Sequence, residues 1–186
     1  MTRKHEFLAA SEIDPLCGTF LPSQCLLPAR YDVETYRIWF RTRDQDGQVV
    51  EIQADLRFPK VAELQTFPVF VYGAGTTGVA NACAPLNEYF SGRDWGNYRT
   101  HLMSYASRGM ITILANWQGY DDSDLTHPYF VSELEGRVML DAARAVPDLH
   151  ASSDGVVPGL VLGRVRSGDP GLSEADRPRS RVYAIE

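Results

Sequence analysis

Two short, largely apolar runs, Phe67-Pro-Val-Phe-Val-Tyr72 and Met110-Ile-Thr-Ile-Leu-Ala-Asn-Trp117, narrow the possible folds more than any other feature of this chain. Runs of this length without strict polar alternation suit strands covered on both faces, as in a parallel sheet. Phe67–Tyr72 is therefore expected to be the first central strand. Parallel neighbours need a crossover between them, and the intervening residues supply one. Tyr98, Leu102, Tyr105 and Ala106 recur at helical spacing, and Gly109 stands where a helix C-cap belongs. The resulting βαβ unit, with its usual hand, sets both strands parallel in one sheet.

The flanking segments extend this pattern. From Tyr31 to Phe58, apolar Val33, Ile38, Phe40, then Val49, Ile52, Ala54, Leu56 and Phe58 alternate largely with polar residues about an Asp46-Gly47 turn. Two antiparallel strands joined by a tight turn explain this. After His127-Pro128, the box Ser132-x-x-Glu135 opens a second helix with the stripe Leu134, Val138, Ala142, Val146, which Pro147 is expected to stop. A third buried strand is expected over Val156–Leu162, although Pro158 is awkward in a central ladder. Residues 1–30, broken by Pro15, Pro22 and Pro28, read as an irregular arm. Residues 31–163 read as one partial α/β domain. The stretch 164–186, with five arginines, four acidic residues and little apolar periodicity, reads as a polar, disordered tail.

Composition excludes several function classes. With 44% hydrophobic and 23% charged residues, the chain is long enough and apolar enough for one domain with a real core. A net charge of −6 argues against nucleic-acid partners, which require a cationic footprint. No run approaches a membrane span, and Ser11, Glu12 and Asp14 interrupt any apolar signal core, so a cytoplasmic location is expected. Cys17, Cys25 and Cys83 form neither an even disulfide set nor a close-spaced metal pair. Reduced thiols, or at most one bridge, are expected, with no metal and no cofactor.

The ordered pieces resemble the front half of bacterial and fungal secretory-lipase-type members of the α/β-hydrolase fold. From Tyr31 to about Val146 these are the strand pair, Gly75-Thr-Thr-Gly78, Cys83-Ala-Pro85, Tyr105-Ala-Ser-Arg-Gly109, Asn116-Trp-Gln-Gly119 and the His127-Pro128 helix entry. The resemblance implies an incomplete α/β-hydrolase-type sheet, an N-terminal antiparallel strand pair followed by parallel βαβ units. It also implies carboxylic-ester hydrolysis through a serine acyl-enzyme, with a small-molecule ester or lipid as substrate. In that chemistry the carbonyl oxygen gains negative charge, and preorganised backbone N–H groups stabilise it. The resemblance assigns one such donor to the backbone N–H of Thr76, with Gly75 in the oxyanion loop. Two positions depart from the family pattern: Ala74 replaces a usual His, and Asn116 a usual Asp.

The remaining parts of the enzyme are not in the sequence. None of the fifteen glycines belongs to a Gly-x-Ser-x-Gly nucleophile elbow. A triad in this fold needs its histidine after the serine, yet His5, His101, His127 and His150 all precede the place where the elbow is due. His127 beside Pro128 reads as a turn residue. The composition break at Gly163 suggests a truncated or frame-shifted reading frame, inactive alone. Gly92-Arg-Asp-Trp-Gly96 has the spacing of an aspartate elbow but follows no strand, so it reads as a surface loop.

Alternatives stay open. Gly73-Ala-Gly-Thr-Thr-Gly78 is also a Gly-x-Gly-x-x-Gly, which cradles a dinucleotide pyrophosphate when it follows a strand and opens a helix. No acidic residue follows at the distance the ribose contact requires. The same glycines could serve only a tight turn in a non-catalytic domain that binds a small apolar ligand or self-associates through an open sheet edge.

Overall fold

The computed structural model describes residues 3–22, 25, 27–62, 66–89, 92, 96–122 and 125–151. The expected strand Val156–Leu162, the tail 164–186 and Arg93-Asp94-Trp95 lie outside the described residues.

The hairpin forms as the alternation requires. β2 (Val33–Arg43) and β3 (Val49–Pro59) pair antiparallel over their whole length, from Val33↔Pro59 to Arg43↔Val49. Gly47 at φ 77° makes the turn, where a glycine costs least. The βαβ unit forms too. β4 (Val69–Tyr72) runs parallel to β5 (Ile111–Ala115), and α2 (Tyr98–Ala106) lies between them in the chain. Tyr98, Leu102 and Ala106 are buried while Tyr105 is partly exposed, and Gly109 follows α2 at φ 94°.

Three expectations need correction. The segment read as an irregular arm carries β1 (Arg3–Leu8), paired antiparallel with β2, and α1 (Ala10–Phe20). Pro15 removes one helical hydrogen bond, which costs about 3 kcal/mol. Burial of Ile13 against Val33, Met103 and Ala106, and of Cys17, offsets it, and the Cys17–Cys25 disulfide ties down the end of α1. The Phe67–Tyr72 run, expected to be central and covered on both faces, is half-buried as β4 and, among the described residues, ends the order β1-β2-β3-β5-β4. Finally, α3 (Ser132–Ala151) continues through Pro147 instead of stopping there. The Val131 carbonyl accepts from the Leu134 and Glu135 N–H groups, so Ser132 sits inside the first turn instead of capping it.

The two faces of the sheet differ in chemistry. On one, Tyr36, Ile38, Phe40, Ile52, Ala54, Leu56, Ile111 and Ile113 meet Val138, Ala142, Ala145 and Val146 of α3 in an apolar core. Leu134, Val138, Ala142 and Val146 are all buried, as their spacing predicts. On the other face, Leu114, Phe70 and Tyr72 meet Tyr98 and Leu102 of α2. Beside them the same face buries Thr35, Asp55, Arg57 and Thr112. No helix among the described residues is long and apolar enough to cross a membrane.

Candidate active site

The end of β4 delivers the chain into the loop 73–78, and two of its glycines are dictated by space. A Cβ on Gly73 would meet the Trp117 ring at 3.1 Å and the Met139 sulfur at 3.2 Å. Gly78 adopts φ 124°, and a Cβ there would stand 2.6 Å from the Cys83 sulfur. Gly75 is different: its nearest neighbour would be the Tyr98 hydroxyl at 3.5 Å, an ordinary contact.

Aromatic side chains from other elements hold the loop. The Trp117 indole N–H donates to the Ala74 carbonyl at 3.1 Å. The Tyr120 hydroxyl donates to the Gly78 carbonyl and lies 3.4 Å from Thr77 Oγ1. Thr76 Oγ1 shares a 2.6 Å hydrogen bond with the Tyr129 hydroxyl. Burial pushes the Tyr120 and Tyr98 hydroxyls above their ordinary range; for Tyr98, a hydrogen bond from the Gly75 backbone pulls the other way. Tyr120 therefore keeps the proton that it donates. Fixing both ends of the loop leaves Gly75 and Thr76 on the surface. None of the four aromatic anchors announced itself in the sequence, because they lie 23–53 positions from their loop partners.

The turn after β5 is equally fixed. Asn116 extends the ladder by donating its N–H to the Gln53 carbonyl at 2.9 Å. Its side chain accepts from Leu86 N–H at 3.1 Å and donates to Asp121 at 2.8 Å. Asp121 also accepts the Gln53 N–H at 2.9 Å. Burial pushes the Asp121 carboxyl up, against these two hydrogen bonds and the charge of Arg37. Asn116 thus fits its setting as a cross-brace between the turn, the sheet and the segment after the loop.

The histidines are not gathered. His127 is buried, stacked on Tyr120 at 4.6 Å, with Nδ1 2.9 Å from the Gln118 carbonyl. Gly119 at φ 89° lies so close that a Cβ would reach the His127 backbone at 2.7 Å. His127 therefore packs the turn ahead of α3. His101 lies on α2 beside Tyr72, and burial lowers its pKa against the pull of Glu88. The side chains of His5 and His150 lie outside the described residues.

The dinucleotide alternative loses its geometry. The loop runs into 3-10 turns at Asn81–Cys83 and Pro85–Asn87, and among the described residues no α-helix follows it before Tyr98. A pyrophosphate cradle needs a helix N-terminus directly after the glycines.

Beside Thr76 lies an exposed aromatic ridge. Tyr129 and Phe130 pack at 4.3 Å, and Phe130 is 76% exposed at φ 61°. Leu125 and Val131 add further exposed apolar surface.

No family model and no curated protein matches the chain. Solved structures do. A ligand-bound form of the rice cell wall degrading esterase LipA from Xanthomonas oryzae superposes with a TM-score of 0.60 at 17% identity, covering 81% of this chain and 37% of that one. A hydrolase described as putative from Legionella pneumophila gives 0.64 at 19% identity, with 81% and 39% covered. Lipase A of Candida antarctica in its closed state gives 0.54 at 18% identity, with 81% and 31% covered. The chain therefore has an incomplete α/β-hydrolase-type sheet and spans less than two-fifths of the length of each of these three structures.

Proposed function

We propose that this chain forms the front portion of a serine hydrolase acting on carboxylic esters, and that loop 73–78 supplies one oxyanion donor, the Thr76 N–H. The observation that carries this reading is the braced, surface-facing loop at the end of a parallel strand in a hydrolase-type sheet. Two backbone donors aimed at a developing oxyanion lower the barrier by several kcal/mol, about 3–4 kcal/mol for a single well-placed one. The second donor, the nucleophile, its base and its acid must come from elsewhere, whether further polypeptide or another chain. Alone, the chain should be inactive.

The test is hydrolysis of p-nitrophenyl esters of short and medium acyl length. The chain alone should do no better than buffer. Joined to the missing half, it should turn over, and Thr76→Pro, which removes the N–H, should lower kcat by about 10²–10³. Activity of the isolated chain, or indifference of the joined enzyme to Thr76→Pro, contradicts the proposal.

A second reading is favoured by the ridge of Leu125, Tyr129 and Phe130: a non-catalytic domain that binds a small apolar ligand there. The edge that β4 presents among the described residues is a further route to self-association. The cytoplasmic location expected from the N-terminus stands against the Cys17–Cys25 bridge, since such bridges persist chiefly in oxidising compartments. Alkylation with and without reductant on protein taken directly from cells decides between them.

A further inference from the structure

The α2 face of the sheet contains a row of side chains that the proposed chemistry does not use. Strand register aligns Glu6, Thr35, Arg57 and Thr112 side by side across β1, β2, β3 and β5. Arg57 is only 3% exposed. One end of its guanidinium, Nη2, donates to Asp55 Oδ2 at 3.3 Å, while Nε and Nη1 are buried without a partner among the described residues. A buried donor left without a partner is costly, more so when it is charged.

Arg57 lines a partly open cavity of about 20 Å³ between the sheet, α2 and the Pro85–Asn87 turn. Glu6, Asp55, Glu88 and Arg99 contribute its polar lining. The charges around it are already matched. Asp55 holds Arg37 at 2.5 Å as well as Arg57. Glu6 pairs with Arg99. Glu88 accepts the N–H groups of Gly96 at 3.0 Å and Arg99 at 3.1 Å, capping the start of α2. Three arginines thus face three carboxylates. A buried anion would add an uncompensated charge beside those carboxylates. A neutral molecule that both accepts and donates would not.

We infer that this cavity is a binding site for one structural water, which accepts from Arg57 Nε or Nη1 and donates to the carboxylate of Glu6 or Glu88. The volume suits roughly one water, and the site offers the two or more polar partners that a buried water requires. Burial, with the charges of Arg99 and Arg37, lowers the Arg57 pKa, while Asp55 and Glu6 oppose the shift. The water completes a bridge from β1 through β3 to the start of α2. This inference is independent of the ester-hydrolase reading and stands or falls without it.

The test is a crystal structure of the intact chain grown in sodium bromide, together with water–protein NOE spectra of the same chain in solution. The expected result is one peak of water scattering, free of anomalous bromide signal, about 2.7–3.2 Å from Arg57 Nε or Nη1. A long-lived water cross-peak to Leu114 should accompany it and be lost in Arg57→Met. Anomalous density at that position overturns the inference in favour of an anion site. Absence of both the peak and the cross-peak in the unmodified chain overturns it in favour of a dry cavity, and neither outcome depends on a variant folding.

Discussion

The two faces of the sheet reach comparable burial by different means. Under α3 the contacts are aliphatic and aromatic, with Ile38, Phe40, Ala54 and Leu56 fully buried. Under α2 and its approach, Arg57, Asp55 and Thr35 are buried at matching strand positions. The apolar face depends on shape, which tolerates substitutions that conserve volume. The charged face depends on pairing, so losing one partner leaves the other stranded. Covering a sheet and coupling its elements are thus separate tasks: the apolar face covers, and the charged face connects β1 to α2 through Glu6–Arg99 and β2 to β3 through Arg37–Asp55.

The comparison breaks most sharply at single sites. Phe40→Ala should cost about 3–5 kcal/mol, the burial and cavity cost of a core aromatic, read by urea denaturation. Asp55→Ala should cost a similar 3–5 kcal/mol by a different route, stranding Arg57 and Arg37. The faces separate on rescue: Asp55→Leu combined with Arg57→Met should be more stable than Asp55→Ala alone, whereas no second change opposite Phe40 should restore it without refilling the volume. A double mutant no better than the single would show that the charges are not coupled.

A smaller loss is expected within the N-terminal unit. Cys25→Ala opens a short loop and should cost about 2–3 kcal/mol in an oxidised sample and nothing in a reduced one. At Gly78, alanine meets both a left-handed φ and the Cys83 sulfur, so Gly78→Ala should cost about 1–3 kcal/mol of stability, read as a lower melting temperature. Gly75→Ala, where φ is ordinary and the nearest contact is 3.5 Å, should be close to neutral.

The smallest effect is one of pH. Burial lowers the His101 pKa below 6.5, so the unfolded chain binds the proton first as pH falls. The stability His101 contributes is complete above pH 6.5 and is lost as pH drops through the folded value. His101→Gln should flatten that part of the melting profile. A profile unchanged by the substitution would place the pH dependence elsewhere.

How much of this was legible in the sequence follows from the same contrast. The β2–β3 hairpin, the βαβ unit and the Leu134–Val146 stripe write themselves as periods of 2 and 3.6, because each buries one face against one neighbour. The charged face does not, since Asp55 and Arg57 occupy alternate positions that read as solvent-facing polar residues. Only the cover of α2 and the Pro85–Asn87 turn turns them inward. β1 was hidden because Arg3-Lys-His-Glu6 lacks strand-like apolar alternation, and α1 because Pro15 masks a helix held by Ile13 and Cys17. At the loop, the glycines were legible but their reasons were not. Gly73 answers to Trp117 and Gly78 to Cys83, contacts set by tertiary packing, and the anchors Tyr120 and Tyr129 arrive from beyond β5.

The most direct measurement is the DNA sequence through codon 163 and beyond codon 186, read in all three frames. The account predicts a Gly-x-Ser-x-Gly followed by an Asp or Glu and then a His, in a shifted or continuing frame, which would complete the site around Thr76. Their absence from every frame, and from any chain that co-purifies with this one, would contradict the ester-hydrolase reading and leave an α/β domain whose braced loop serves binding.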